Sequence, residues 1–283
     1  MSDPAAERPY DSRMPVSISS ASNPRIREIK ALRMRKTREQ TGLCYVEGIR
    51  AVGEAIQAGV AVETLVVAPR RLTSEFALGL VAEAVDREVP VLEVTTDVFR
   101  ALSDRDGPQG LAAVVHQRWS EIDDIRPARG DRWVALDAIG DPGNLGTILR
   151  TCDASGAAGV LLLGASTDPY DPAAVRSGMG AIFSSVLART TFKHVRAWAT
   201  RHRAALIGSS AAGTTDYREA AYGDPTVLLM GNERDGLSPE DRAACDALVR
   251  IPMLGRSSSL NVAVATGVLL YEVLRRREGP PSS

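Results

Sequence analysis

The first features of this sequence are a shortage of cysteine and the absence of a long apolar run. It contains three cysteines, Cys44, Cys152 and Cys245, and no two of them form a Cys-x-x-Cys pair. An odd number of widely spaced cysteines argues against a disulfide framework and favours reduced thiols. The apolar run at 262–270 is far shorter than a membrane span, and residues 1–14 contain no apolar stretch of signal-peptide type. We therefore expect a cytoplasmic protein that does not associate with a membrane.

The sequence also lacks the patterns of several common enzyme classes. Its glycines form no Gly-x-Gly-x-x-Gly fingerprint, and no Gly-Lys-Ser/Thr phosphate-binding loop occurs. The three histidines, His116, His194 and His202, form no metal-ligand pattern with the cysteines. Ser258 and Ser259 have no obvious histidine partner for nucleophilic catalysis. We expect no metal site, and the patterns do not favour a nucleoside triphosphatase or a serine hydrolase.

The charge of the chain is nearly balanced, with 34 basic and 35 acidic residues and a net charge of −1 at pH 7. The basic residues are nevertheless unevenly spread. Between positions 25 and 38 a single acid, Glu28, is accompanied by seven basic residues: Arg25, Arg27, Lys30, Arg33, Arg35, Lys36 and Arg38. A local stripe of this kind can neutralise RNA phosphates in an otherwise acidic molecule. A solvated helix face would give the same pattern, and charge alone does not decide between the two.

Composition and periodicity divide the chain into four segments. We expect residues 1–16 to be a disordered leader and residues 17–117 to form a compact three-layer α/β domain. Residues 118–130 mix charge with Pro and Gly, which suits a linker, and residues 131–278 form a second domain. In the first domain, one helix is expected from Pro24 to about residue 40 and carries the basic stripe. Further helices are expected at 48–58, 74–87 and 97–102, and strands at 63–68, 89–94 and 110–115.

The second domain shows stronger strand and helix alternation. Short apolar runs predict strands at 133–138, 159–163, 204–208, 226–230 and 248–251. Helical segments separate these runs, as in a mostly parallel sheet that is buried on both faces. The final helix is predicted at 260–277, where three arginines followed by Gly and Pro mark its end.

Three loops of this domain are richer in glycine and polar residues than a simple connection requires. They span residues 140–146, 231–237 and 251–261, and each follows a predicted strand. Ligands of an open parallel sheet bind at the carboxyl ends of its strands. Each loop taken singly is also explained as a turn with helix caps. Together they predict a single site.

The same loops carry three motifs that resemble those of the SpoU/TrmH family of SPOUT methyltransferases. The motifs are Asp-Pro-Gly-Asn-Leu-Gly-Thr-Ile-Leu-Arg at 141–150, Gly-Asn-Glu at 231–233, and Ile-Pro-Met at 251–253 with Ser-Ser-Leu-Asn-Val at 258–262. They occur in the order found in the family, and each lies in a strand–loop–helix context. Three motifs in register are specific evidence, whereas one alone is weak.

The first domain resembles the ribosomal-protein-L30e-like substrate-binding domain of the same family. The resemblance rests on Asn-Pro-Arg at 23–25, Tyr-Val-Glu-Gly at 45–48 and Pro-Gln-Gly at 108–110. An added domain of this kind is found in family members that act on ribosomal RNA, including thiostrepton- and avilamycin-resistance methylases. We therefore expect an RNA-binding domain ahead of the catalytic one.

The resemblance implies an α/β SPOUT domain with a C-terminal trefoil knot, a homodimer with its active sites at the subunit interface, and S-adenosyl-L-methionine as the cofactor. The residues that match cofactor-binding positions, with the loop beside them, are Gly231, Ile251, Met253, Leu260, Ser210 and Ala211. Those that match catalytic positions are Arg150, Asn144, Glu233, Ser259 and Asn261. Gly231 is expected because a residue without Cβ lets the backbone lie close to a ligand.

Three roles stay open at this point. Arg150 matches a residue often proposed as the general base, but an arginine side chain stays protonated at ordinary pH, so it is equally a phosphate ligand. Ser259 is either part of the catalytic floor or the N-cap of the last helix. Arg176 is either a contact for an RNA phosphate or an ordinary surface arginine.

The expected reaction is 2′-O-methylation of a ribose in 23S ribosomal RNA, with resistance to a ribosome-targeting antibiotic as one biological role. Two alternatives are a tRNA ribose methyltransferase and an inactive rRNA-binding assembly factor. A methyltransferase for a small molecule is disfavoured because it would leave the basic stripe and the first domain without a purpose.

Overall fold

Residues 16–278 are described by the computed structural model, and they divide into two units, each with its own β-sheet. Unit 1 comprises the chain up to Gln117 together with Tyr170–Arg176, and unit 2 comprises Arg118–Pro169 and the chain from Ser177 onward. Residues 1–15 of the expected leader lie outside the described residues, and Val16 already belongs to a strand. Within residues 16–278, no helix is long and apolar enough to cross a membrane.

Unit 1 is built on a five-stranded mixed sheet. Its strands are β1 (Val16–Ile18), β2 (Leu43–Glu47), β3 (Val62–Val67), β4 (Val91–Val94) and β5 (Leu111–His116), in the order β1-β4-β3-β5-β2. The β1–β4 and β4–β3 pairs are parallel, whereas β3–β5 and β5–β2 are antiparallel. Strands β1 and β2 were not among the predicted ones, because both are short and neither stands between two clear turn signals.

Five helices cover this sheet. They are α1 (Pro24–Ala31), α2 (Arg35–Thr41), α3 (Ile49–Gln57), α4 (Glu75–Asp86) and α5 (Thr96–Leu102). Alternate strand residues such as Val66, Ala112 and Val114 share a core with Ile26 of α1 and Phe99 of α5. Helices α3 and α4 pack against each other and against the strands.

The prediction of one helix from Pro24 to about residue 40 is wrong, because α1 ends at Ala31 and α2 begins at Arg35. Leu32 at the break is buried. Arg38 donates hydrogen bonds from Nη1 to the carbonyl oxygens of Leu32, at 2.9 Å, and Arg33, at 2.8 Å. A side chain thus satisfies carbonyl groups that a continuous helix would satisfy with backbone N–H groups.

Arg38 is therefore a core residue rather than part of an RNA-binding surface. Only 1% of it is exposed, and its Nη2 lies 3.5 Å from Oδ2 of Asp171, which also belongs to unit 1. A buried arginine whose donors are engaged in this way is not available to an RNA phosphate. The expectation that Arg38 binds RNA is corrected on this ground.

Unit 2 contains a seven-stranded sheet in which every strand pair is parallel. Its strands are β6 (Arg132–Asp137), β7 (Gly159–Leu163), β8 (Val186–Thr190), β9 (Ala205–Ser209), β10 (Thr215–Asp216), β11 (Thr226–Met230) and β12 (Ala247–Arg250). Their order is β10-β12-β9-β11-β6-β7-β8. The expected α/β class with a mostly parallel sheet is confirmed. The two edge strands, β8 and β10, were not among the predicted strands.

The helices of unit 2 follow the strands. They are α6 (Pro142–Ala154), α7 (Pro172–Gly178, of which residues up to Arg176 belong to unit 1), α8 (Phe192–His202), α9 (Pro239–Ala243) and α10 (Val262–Glu278). Helix α10 packs against α6. Ile122 and Ile125, in the stretch expected to be a linker, are buried in the core of unit 2, and Trp198 of α8 donates a hydrogen bond to the Ile125 carbonyl at 3.0 Å.

Candidate active site

A cavity of 710 Å³ lies in unit 2 at the carboxyl ends of β9, β11 and β12. Its volume falls within the range of small-molecule sites, and its place is the one where parallel sheets bind ligands. Two predicted loops and the loop after β9 meet there with helix α6. The residues that line it are Asn144, Ser209–Ala212, Met230–Gly236, Ile251, Met253, Ser258–Val262 and Ala265.

The loop after β11 is held by its own backbone and by Asn232. The Asn232 amide donates to the carbonyl of Ala138 at 2.8 Å, while its oxygen accepts from the backbone N–H of Arg234 at 2.8 Å. A Cβ built on Gly231 would lie 2.3 Å from the carbonyl carbon of Gly236. Gly231 is therefore needed because the loop closes onto itself, which differs from the expected reason of close approach to a ligand.

Three polar side chains from separate segments, namely the start of α6, the loop after β11 and the residue before α10, form one hydrogen-bonded chain in this cavity. Asn144 donates from Nδ2 to Oε1 of Glu233 at 3.3 Å, and Asn261 donates from Nδ2 to Oδ1 of Asn144 at 2.9 Å. Oδ1 of Asn261 in turn accepts from the backbone N–H groups of Ala263, at 2.9 Å, and Val264, at 3.3 Å. A carboxylate only accepts and a helix N-terminus only donates, so both amide orientations are fixed by their neighbours.

Glu233 is an ionised anchor at one end of this chain. Burial by itself raises the pKa of its carboxyl group. Hydrogen bonds from its own backbone N–H, from the Asn144 side chain and from the backbone N–H groups of Gly140 and Asp141 outweigh that effect, so the pKa is lowered overall. The carboxylate thus ties the loop after β11 to the start of α6.

Asn261, and not Ser259, caps the last helix. Helix α10 begins at Val262, two residues later than predicted, and its first free N–H groups bond to Asn261. Ser259 lies two residues before the cap and lines the cavity. The interpretation of Ser259 as the helix cap is therefore wrong. Its position at the cavity wall leaves the other interpretation, a residue of the catalytic floor, as a prediction.

The structure brings together all six residues expected to bind the cofactor, since each of Gly231, Ile251, Met253, Leu260, Ser210 and Ala211 lines the cavity. The loop after β9 is fixed by the backbone N–H of Ser210, which donates to the Val249 carbonyl at 2.9 Å. The cavity also has lining residues that were not singled out from the sequence, among them Arg234 and Asp235. Their place after the Gly-Asn-Glu motif was the available signal.

Arg150 is placed differently from the other expected catalytic residues. Asp141 caps α6 by accepting from the Asn144 backbone N–H at 2.6 Å, so the start of this helix stands at the cavity. Arg150 follows six residues later, about 9 Å along the helix axis. It is exposed and does not line the cavity. Within one described subunit it is therefore separate from the cavity that holds Asn144, Glu233 and Asn261.

The residues of the basic stripe at 25–38 differ in exposure. Five are exposed on α1 and α2: Arg25, Arg27, Lys30, Arg35 and Lys36. Arg33 is half-buried, where it pairs with Asp104 at 2.7 Å and donates to the Leu102 carbonyl at 2.9 Å. Arg176 is exposed near the end of α7.

In residues 16–278, no cluster of three or more His, Cys, Asp or Glu side chains is placed to hold a metal ion.

Comparisons with known proteins identify a family match for each part of the chain. Residues 131–271 match the SpoU rRNA Methylase family, and residues 23–113 match the MRM3-like substrate binding domain. A 23S rRNA (uridine(2479)-2′-O)-methyltransferase of Streptomyces viridochromogenes is 36% identical over 251 residues, covering 86% of each chain. The 23S rRNA (guanosine(2553)-2′-O)-methyltransferase RlmP of Bacillus subtilis is 28% identical, covering 90% of this chain and 98% of its own.

A solved structure extends the likeness to three dimensions. The AdoMet-bound rRNA methyltransferase from Sinorhizobium meliloti superposes with a TM-score of 0.84 at 39% identity. The match covers 93% of this chain and 97% of that one, so it includes both units.

Proposed function

Because the chain belongs to the SpoU rRNA methylase family, we propose that it transfers a methyl group from S-adenosyl-L-methionine to a ribose 2′-hydroxyl of 23S ribosomal RNA. The observation that carries the proposal is the cavity at the carboxyl ends of β9, β11 and β12, with the hydrogen-bonded chain of Glu233, Asn144 and Asn261 at its wall. Ribosomal RNA as the substrate also assigns the protein to the cytoplasm.

The cavity fits the cofactor in size and in the chemistry of its lining. Ile251, Met253 and Leu260 offer apolar surface to an adenine ring, and Ser210 offers a hydroxyl and neighbouring backbone groups for polar atoms. Bound there, the cofactor supplies an electrophilic methyl group on a sulfonium. The protein has to align the ribose hydroxyl with that group and exclude water while the hydroxyl loses its proton.

The chain of Glu233, Asn144 and Asn261 holds the cavity wall in one arrangement before substrate binds. Each side chain is bonded to a neighbour from a different segment of the chain, so moving one of them breaks a bond to another. We assign these residues and Ser259 to shaping the acceptor site. Preorganised polar groups stabilise developing charge because they do not need to reorient during the reaction.

Arg150 is assigned to the active site of the partner subunit in a homodimer. It is exposed and stands apart from the cavity of its own subunit, so a second copy is the simplest way to bring it to a site. A protonated guanidinium cannot accept a proton readily. We therefore assign it to binding the phosphate beside the acceptor ribose and stabilising negative charge on the ribose oxygen.

The exposed face of α10 supports the dimer. Val264 and Tyr271 are 52% and 50% exposed, and they stand seven residues apart on one face of the helix, with half-buried Val268 between them. An apolar helix face beside α6 is suited to packing against a second copy.

We further propose that the chain after β12 forms the trefoil knot implied by the family motifs, consistent with the meeting of loops 231–237 and 251–261 in one cavity.

The exposed basic residues of α1 and α2, together with Arg176, are assigned to RNA phosphates. They neutralise RNA without reading its sequence, and positioning contacts of this kind are usual for nucleic-acid-binding domains.

Resistance to a ribosome-targeting antibiotic is proposed as a biological role and is tested by the minimum inhibitory concentration in a sensitive host that expresses the protein.

Transfer of a labelled methyl group from S-adenosyl-L-methionine to purified 23S and 16S ribosomal RNA and to tRNA tests the function. Primer extension at limiting nucleotide concentration then locates the 2′-O-methyl group. We expect one stop on 23S ribosomal RNA. Labelled tRNA would favour a tRNA enzyme instead, and cofactor binding without transfer to naked RNA would move the search to ribosome assembly intermediates. A protein that binds no cofactor would contradict the proposal.

A further inference from the structure

The cavity described above is lined by three charged side chains, two of them acidic and one basic. Among the described residues that line it, Glu233 and Asp235 are anionic and Arg234 is the only cation. The substrate is a polyanion, and a ribose 2′-hydroxyl always has a backbone phosphate on the adjacent carbon. A site for this acceptor therefore needs positive charge at its rim to offset both the phosphate and its own two carboxylates.

Arg234 is held at that rim by a rigid loop. Its backbone N–H donates to Oδ1 of Asn232 at 2.8 Å, and the Gly236 N–H donates to the Asn232 carbonyl at 2.9 Å. Gly231 lies directly against Gly236 and Leu237, so the base of the loop has no spare room. The backbone position of Arg234 is thus fixed before any ligand arrives.

The side chain of Arg234 is exposed and makes no hydrogen bond or ion pair with the rest of residues 16–278. RNA is far too large to enter a cavity of 710 Å³, so only the target nucleoside reaches into it while the neighbouring phosphates stay at the rim. An unpaired guanidinium on the solvent side of the wall is in the place where such a phosphate has to lie, and its planar fork suits phosphate oxygens.

We propose that Arg234 binds a backbone phosphate next to the target ribose, so that the loop after β11 contributes to RNA binding as well as to the cofactor cavity. The proposal rests on the proposed function for the identity of the RNA. It adds a substrate contact that belongs to the same subunit as the cavity, in contrast to Arg150. The competing anion is the carboxylate of the cofactor, which the test separates from the phosphate.

The test is equilibrium binding of a 23S rRNA transcript, measured at several salt concentrations for the wild type, Arg234→Ala and Arg234→Lys. The matched control is Arg196→Ala, which removes one exposed arginine from α8 in the same unit. We expect Arg234→Ala to raise the Kd about tenfold and to reduce the slope of log K against log salt by about 0.7, the value for one phosphate contact on single-stranded RNA. Arg234→Lys should restore most of the slope, and Arg196→Ala should match the wild type.

Cofactor binding is measured in parallel by calorimetry without RNA. Unchanged cofactor affinity in Arg234→Ala, together with the reduced salt slope, supports the proposal. A wild-type salt slope in Arg234→Ala would overturn it, and so would weaker cofactor binding with an unchanged slope, which would assign Arg234 to the cofactor carboxylate. The RNA-binding result does not depend on methyl transfer. Failure of the wild type to methylate any RNA would therefore count against the proposed function and not against this contact.

Discussion

The polar residues of the cavity in unit 2 and the basic residues on α1 and α2 of unit 1 are organised in opposite ways. Glu233, Asn144 and Asn261 come from three separate segments and form one hydrogen-bonded chain, so their positions depend on each other. Arg25, Arg27 and most of the basic stripe are exposed one by one on short helices. Fixed geometry suits a reaction that needs alignment, whereas independent charges suit an RNA surface that has to be matched along its length.

Two arginines depart from this contrast. Arg150 belongs to the helix that starts at the cavity but is exposed, and Arg38 belongs to the basic stripe but is buried. Substitutions of these two arginines therefore test the contrast between the two regions most directly.

Arg150→Ala should have the largest effect. We expect a loss of turnover of about 10²–10³-fold, typical of removing one group that stabilises developing charge, with the fold and the proposed dimer retained. Labelled methyl transfer and light scattering measure the two properties.

Mixed dimers decide which subunit Arg150 serves. Arg150→Ala subunits have an intact cavity, and Glu233→Ala subunits have an intact arginine, so a mixed dimer contains one complete site if Arg150 acts across the interface. We expect activity to reappear on mixing the two variants. Activity that stays absent in verified mixed dimers would place Arg150 in the site of its own subunit.

Arg38→Ala should come next, through stability. It removes two hydrogen bonds to the carbonyls of Leu32 and Arg33 and the ion pair with Asp171, which should lower the free energy of unfolding by about 3 kcal/mol. Urea denaturation measures the change. Arg35→Ala is the matched control from the same helix, since its exposed pair with Glu39 should contribute only about 0.3–0.5 kcal/mol. Equal effects for the two variants would contradict the core role of Arg38.

A pair of double-mutant cycles tests the contrast itself. Asn144→Ala and Asn261→Ala should be non-additive by about 1–2 kcal/mol in the activation free energy, because either change already breaks the chain. Arg27→Ala and Lys36→Ala, which are on separate helices and share no partner, should be additive in RNA-binding free energy to within about 0.5 kcal/mol. Additive behaviour of the asparagines would mean that the chain does not act as a unit.

The pH dependence of stability should show the smallest effect. The pKa of Glu233 is lowered in the folded state, so its ionised form contributes stability above the ordinary carboxyl range, and that contribution is lost as the pH falls through the lowered pKa. Glu233→Gln should therefore narrow the difference in thermal stability between pH 7 and pH 3. An unchanged difference would show that Glu233 is not stabilised by its partners.

The sequence was sufficient where local signals and chain order agreed. The strands at 159–163 and 226–230 were predicted with the bounds that the structure has, because both are apolar runs between clear turns. The three loops were expected to meet because the carboxyl ends of parallel strands share one edge. The individual cofactor and catalytic residues came from the family resemblance and not from these patterns.

Long-range contacts account for what the sequence did not reveal. The break between α1 and α2 and the burial of Arg38 depend in part on Asp171, which is 133 residues away along the chain. Gly231 is required because the backbone of Gly236 and Leu237 lies directly against it. Ser259 and Asn261 are both suitable N-cap residues by type, and the structure shows that Asn261 is the one that caps α10. Spacing rules do not contain this information.

The bond between Asn144 and Asn261 has a consequence for how the protein folds. It joins residues 117 positions apart, and Asn261 is also the residue that caps α10. The loop after β11 and the start of α6 can form earlier, but the amide of Asn144 gains its second partner only when the segment before α10 has been delivered to them. Because closing a contact between residues so far apart in the chain costs loop entropy, we expect this bond to form after the local contacts of α6, so that most of the sheet forms before the group of Glu233, Asn144 and Asn261 is complete.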